Sequence, residues 1–164
     1  MNEAVHAHGA LAGVELAHTA NRDPCLYSRE VPLNVGHAPA GENWYPAQAR
    51  AMDLADIRAY RRWHREAAIR AMRAGFDIVY VYCRAHTSMN GNFLSRAHND
   101  RGDEYGGSLE NRARLLREVL ADTKDAVGGR CAVAIRYTVD DQVDPDGEID
   151  LAEGRAVVEM LAEI

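Results

Sequence analysis

Four side chains are of types able to do chemistry: Glu15, Tyr82, His86 and Arg136. Tyr82 ends the run Asp77-Ile78-Val79-Tyr80-Val81-Tyr82, and His86 follows after Cys83-Arg84-Ala85. A phenol can donate or accept one hydrogen bond and an imidazole exchanges a proton near neutral pH, so this pair could orient a small polar substrate and tune its protonation. Arg136 stands near the end of a second run, Cys131 to Tyr137. A guanidinium is always charged and carries a rigid fork of donors, which suits it to stabilise negative charge gathering on a bound group. Glu15 interrupts the apolar run Gly9 to Leu16, where a carboxylate is costly unless it is paired. Each has a plainer reading: an arginine paired with a surface carboxylate, a solvated glutamate on a frayed strand, strand-end aromatics, and a loop histidine with no catalytic part.

These residues must be positioned by an alternation of strands and helices. Gly13-Val14-Glu15-Leu16 is a short strand candidate, and residues 19 to 50, rich in Pro, Asn, Gly and His, read as one long loop. Asp53 to Ala74 is an expected helix with Asp53 or Asp56 as N-cap; Ile57, Tyr60, His64, Ala67, Ala68 and Ala71 recur at helical spacing, and Gly75 suits the C′ position. Asp77 to Tyr82 is apolar, β-branched and aromatic, as in a strand covered on both sides. Ser108 caps a helix with Glu110 in its positive first turn, an inner face of Leu109, Leu116, Leu120 and Val127, and Gly128-Gly129 at its end. Cys131 to Tyr137 reads as a second buried strand. Asp150 with Glu153 resembles a capping box opening a last helix whose apolar positions are Val157, Val158 and Leu161. Such β-α-β-α-β-α order implies parallel strands. Three strands cannot close a barrel and leave two open edges, so the segment reads as part of a larger α/β barrel.

Composition narrows the function classes. The 164 residues are 47% apolar and 27% charged, enough to bury one core, and the net charge of −6 argues against nucleic acid or an anionic membrane as partner. The start has no basic segment and no run suits a signal peptide or a membrane span. Cys25, Cys83 and Cys131 are far apart, form no metal or iron–sulfur spacing, and fit a reducing cytoplasm. His6-x-His8 with His18 is too short a pattern to stand for a metal site, and none is expected. Asp140, Asp141, Asp144, Asp146 and Glu148, with Gly147, do not fit a calcium loop and read as a solvated stretch. Arg58, Arg61, Arg62, Arg65 and Arg70 read as a solvated helix face.

The stretch Asn99-Asp100-Arg101-Gly102-Asp103-Glu104-Tyr105-Gly106-Gly107-Ser108-Leu109-Glu110-Asn111-Arg112 resembles the N-x-R-x-D-x-Y-G-G-S-x-E-N-R signature of the FMN-dependent old yellow enzyme family, with every fixed position met. The resemblance runs from about Gly9 to Ile164 and is strongest to the amine dehydrogenase branch: trimethylamine, dimethylamine and histamine dehydrogenases. It implies an α/β fold, a partial (β/α)8 TIM barrel over residues 1–164 with about three parallel strands, the third to fifth, and their helices. The other strands, the phosphate-binding loops, the covalent flavin cysteine and the 4Fe–4S cluster ligands of full-length relatives would lie outside it. FMN is the implied cofactor, with Glu15 at the flavin pyrimidine edge and Arg136 beside N1 and the C2 carbonyl. Tyr82 and His86 would face a small-molecule amine, and His18 or Asn21, just after the first strand where relatives shape the substrate side, would reach the flavin. The signature loop itself is expected to be architectural, with Asp103 serving loop amides, Arg101 or Arg112, and with Tyr105 packed on the barrel. The implied reaction is hydride transfer from a C–H beside nitrogen to FMN. Alkene reductases of the family usually carry a His where Tyr82 stands, which favours the amine branch.

One departure matters. The branch sets its Tyr and His three residues apart, whereas one extra residue separates Tyr82 from His86, and Arg84 adds a cation nearby. If the strand fixes the register, Tyr82 keeps its place and His86 is displaced; if the Ala-His pair fixes it, Cys83 takes the Tyr position. Rival readings are a truncated non-catalytic remnant, an NAD(P)H-dependent alkene reductase, and a split enzyme completed as a homodimer or by a complementing chain.

Overall fold

A computed structural model describes residues 2–20, 22, 30–39, 48–140 and 149–164. Asn21, Cys25, Asp141, Asp144, Asp146, Gly147 and Glu148 lie outside the described residues. Its centre is a parallel sheet of three strands, β1 (Gly13–Leu16), β5 (Ile78–Cys83) and β6 (Ala132–Tyr137), in the order β1-β5-β6. Between β1 and β5 the chain makes a second small sheet. There β2 (Leu33–Asn34) runs parallel and β3 (Ala38–Pro39) antiparallel to β4 (Gln48–Ala51). The expected single long loop is therefore partly ordered into strands. They are only two to four residues long, too short for an alternation pattern to show in sequence.

The helices follow their start and stop signals. In α2 (Leu54–Arg73) the Asp53 carboxylate accepts from the Asp56 amide while Asp56 accepts from the Asp53 amide, a complete capping box, and Gly75 takes φ +83 just past the end. Its buried stripe is Ile57, Tyr60, His64, Ala68 and Ala71. Ser108 caps α4 (Leu109–Val127) by accepting from the Asn111 amide. Asp150 caps α5 (Leu151–Ala162), but the Glu153 side chain does not close the box; it turns instead to Arg112. Two short helices, α1 (Asn2–His6) and α3 (Met89–Leu94), carry little periodicity and are visible only in the structure.

All longer helices cover one side of the sheet. Val79, Val81 and Cys83 point into a core with Ile57, Phe93, Leu115, Leu116, Val119 and Val127, and each fully buried aliphatic side chain contributes about 1.5–3 kcal/mol. The opposite side of β5 is half-exposed, and along β6 no residue is fully buried. The expectation that both strands are covered on two sides is thus corrected. Hydrophobic runs look alike whether one or two faces are packed when tyrosines occupy the second face. Of the apolar positions of α5, Val157 is buried whereas Val158 is 46% exposed. The arginines of α2 are not simply a solvated face either: Arg61 binds Asp122 and Glu118, and Arg65 binds Asp125, joining α2 to α4.

The stretch Asn99–Arg112 is a clasp. Asn99 donates to the Phe93 and Tyr105 carbonyls. Arg101 forks onto Asp103 and donates to the Val35 and Met52 carbonyls, binding the small sheet to the loop. That ion pair holds the Asp103 carboxyl below the usual carboxylate range. Tyr105 packs edge-on against Phe93. Gly106 lies so near the Arg101 carbonyl that a Cβ would sit 2.1 Å from it, and Gly107 turns at φ +81.

Candidate active site

The side of the sheet left bare by the helices carries the candidate chemistry. Register sets Glu15 opposite Tyr80, and Tyr82 opposite Arg136. Residues two apart on a strand share a face, so Glu15, Tyr80, Tyr82 and Arg136 all lie on the bare one. Glu15 and Arg136 belong to the outer strands, with β5 between them, and only their long side chains bridge it. Arg136 Nη1 donates to Glu15 Oε2 at 3.3 Å, and the guanidinium carbon lies 5.4 Å from the centre of the Tyr82 ring. Gly13 makes room for Tyr80, since a Cβ there would stand 2.9 Å from the Tyr80 ring. The carboxylate that pairs with the strand-end arginine is therefore the other candidate residue. Their side chains are 68% and 35% exposed, and such a pair is worth about 0–1 kcal/mol. It does not hold the fold together, and both groups are available to a ligand.

β5 ends at Cys83, and the loop that carries His86 follows it. Cys83 still pairs in register with Tyr137 and is buried in the core, so it cannot take the tyrosine's position. Burial also pushes its thiol well above the ordinary range. Tyr82 lies within β5, in register with Arg136, and His86 lies in the loop beyond at φ +58. The residue hydrogen-bonded to the Tyr82 hydroxyl is Thr87, at 3.0 Å, while the ring that meets His86 is His98, with centroids 4.5 Å apart. Neither Thr87 nor His98 was singled out by sequence reasoning. Thr87 lies within hairpin-turn distance of Tyr82, a usable signal, whereas His98 is remote.

Below the loop runs a buried polar chain. Tyr60 donates to Asn90, whose side-chain amide donates to the Tyr82 carbonyl at 2.9 Å. Ser88 Oγ accepts from the Arg84 amide and donates to its carbonyl. His18 packs edge-on against Tyr60; its Nδ1 accepts from the Ala20 amide and its carbonyl accepts from Met89. Burial lowers the His18 pKa, and the ring acts as a neutral brace between the end of β1 and α3. His6 lies at the opposite, amino-terminal end of β5, bound to Asp77 at 2.7 Å. Among the described residues, no group of three or more metal-ligating side chains gathers. No helix among them is long and apolar enough to cross a membrane.

Residues 1–164 match the profile of the NADH:flavin oxidoreductase / NADH oxidase family. The chain belongs to that family. Among solved structures it resembles 6-hydroxypseudooxynicotine amine oxidase from Pseudomonas geniculata N1, at 49% identity and TM-score 0.90, over 98% of this chain and 24% of that one. It also resembles histamine dehydrogenase from Rhizobium sp. 4-9, at 44% identity and TM-score 0.90, over 98% and 23%. Among curated proteins it is 34% identical to 12-oxophytodienoate reductase 7 of Oryza sativa subsp. japonica, over 97% of this chain and 43% of that protein. The chain thus spans less than half the length of each of these relatives. As a member of this family it is a segment of an old yellow enzyme-type TIM barrel, and its three parallel strands form no closed barrel. The bare face of the sheet is then the barrel interior, and the ends of β1, β5 and β6 are where such barrels carry their sites.

Proposed function

We propose that this segment supplies one wall of the active site of an FMN-dependent oxidoreductase that oxidises a small amine. The observation that carries the reading is the cluster of Glu15, Tyr82 and Arg136 on the bare face at the carboxyl ends of the strands. An exposed fork of donors beside a carboxylate acceptor fits a heterocycle that presents both carbonyls and an N–H, as the flavin pyrimidine does. Arg136 would hold FMN through its carbonyl edge and offset negative charge there, while Glu15 would accept from its N–H. Bound FMN would supply a two-electron acceptor for a hydride from the substrate. The Tyr82 hydroxyl, braced by Thr87, and the exposed His86 ring would orient the substrate amine and hold or release its proton. Support for the amine branch comes from Tyr82 retaining the strand-end position and from the identities of 49% and 44% to an amine oxidase and a histamine dehydrogenase.

A second reading is that the chain alone is a non-catalytic segment. It is supported by β1 and β6, each of which pairs on one side only among the described residues. One experiment separates the two. The purified chain is incubated with FMN, desalted, and its visible spectrum recorded. Retained flavin bands that are lost in Arg136→Ala support the flavin site, and amines are then assayed as reductants of the bound flavin. A folded circular dichroism spectrum with no retained flavin favours the non-catalytic segment.

A further inference from the structure

We infer that His98 is a positioning residue for His86, fixing the direction of its imidazole at the carboxyl end of β5; the functional meaning of this contact rests on His86 being a substrate-side group. The His86 backbone adopts φ +58, a left-handed conformation uncommon for a residue with a Cβ, though His enters it more readily than most. Both flanks are pinned. On one side, Ser88 Oγ takes both backbone groups of Arg84, at 2.9 and 2.8 Å, and a Cβ on Gly91 of α3 would lie 2.0 Å from the Arg84 carbonyl oxygen. On the other, the Thr87 hydroxyl meets that of Tyr82. The side chain so aimed meets His98 edge to face, at 4.5 Å between centroids and 81° between planes.

His98 is itself well anchored. Its Nδ1 lies 3.0 Å from Ser95 Oγ, its amide donates to the same oxygen at 3.2 Å, and the next residue, Asn99, is buried and bonded to two carbonyls. Burial, and secondarily the neighbouring His86, lower its pKa, so near neutral pH it is an uncharged ring. An exposed histidine thus leans on a half-buried one that belongs to the rigid clasp.

The test is NMR of the full chain labelled with 13C,15N-histidine. The expected result is cross-relaxation between the His86 and His98 ring protons, together with backbone shifts of a left-handed His86. His98→Phe, which keeps a ring edge, preserves those shifts, and His98→Ala loses them while circular dichroism is unchanged. His86→Gln raises the His98 pKa, an effect that a residue merely filling space would not show. Absence of ring-to-ring cross-relaxation in the folded wild-type chain overturns the inference, as does a His98 titration indifferent to His86→Gln; neither observation depends on His98→Ala folding. Because no flavin or substrate is used, failure here leaves the flavin reading standing, and failure to bind flavin leaves this contact standing.

Discussion

At Gly91 the path of the loop after β5 depends on one missing methyl group. The loop after β5 folds back until the Arg84 carbonyl touches α3, and the hydrogen-bond partner of Tyr82 arrives by that route. Gly91→Ala would put a Cβ 2.0 Å from a backbone oxygen that Ser88 already holds, and no flexible side chain is there to give way. The expected cost is about 1–3 kcal/mol or more, read as a lower urea midpoint, with loss of the Tyr82–Thr87 contact. The same reasoning explains why sequence spacing between Tyr82 and His86 could not settle the site. An extra residue can displace the strand or the loop. Here the β5–β6 ladder holds Tyr82 in register and buries Cys83, and His86 lies in the loop beyond at φ +58.

Between elements, the contact of α2 with α4 holds a buried histidine. His64 faces Thr123 at 3.2 Å and is 7% exposed. Desolvation lowers its pKa to about 4 and outweighs the nearby Leu16 carbonyl and Asp122, which favour the charged ring. The ring is therefore neutral in the fold but protonates near 6.5 when unfolded. Below pH 6.5 the unfolded state binds the extra proton and stability falls; below about 4 both states are protonated and this contribution stops changing. Across that window the loss reaches about 3 kcal/mol. Urea midpoints measured from pH 7 to 4 should fall steeply in the wild-type chain and less so in His64→Leu. Equal slopes in the two would show that His64 is not the titrating group.

Another tie between elements is Arg112, which is buried beneath the clasp. It donates to the Leu94 and Gly107 carbonyls and forms an ion pair with Glu153 at 2.6 Å, so α3, α4 and α5 meet at one guanidinium. Arg112→Met would leave two carbonyls without this donor and the half-buried Glu153 carboxylate with only the longer Arg96 contact, at 3.5 Å. A loss of about 3 kcal/mol is expected, as is characteristic of breaking one side of a buried pair. Thermal unfolding of Arg112→Met beside Glu153→Gln would check it, the second change being the milder.

At the scale of the molecule, β6 pairs on one side only among the described residues. A groove of about 770 Å³ runs along it, lined by Leu120, Val133, Ile135, Val158 and Leu161 among others. Unpaired strand edges beside apolar surface favour self-association. The chain should elute above its monomer mass in size-exclusion chromatography with light scattering at tens of micromolar, and Val158→Lys should shift it towards monomer. A monomer at every concentration would show that this edge is protected.

The amino-acid sequence alone determined the three long helices, the three strands of the main sheet and their parallel order, because periodicity, caps and turn glycines are local signals. Asp53, Ser108 and Asp150 open their helices, and Gly75 and Gly128 close theirs, as read from spacing. The signature stretch likewise marked the family and its own architectural part. Only the tertiary structure decided which side of the sheet is bare, that Arg136 answers Glu15 across β5, that Thr87 and not His86 meets the Tyr82 hydroxyl, and that His86 leans on His98. Those outcomes depend on strand register and on contacts between residues up to 121 positions apart, and no local pattern carries that information.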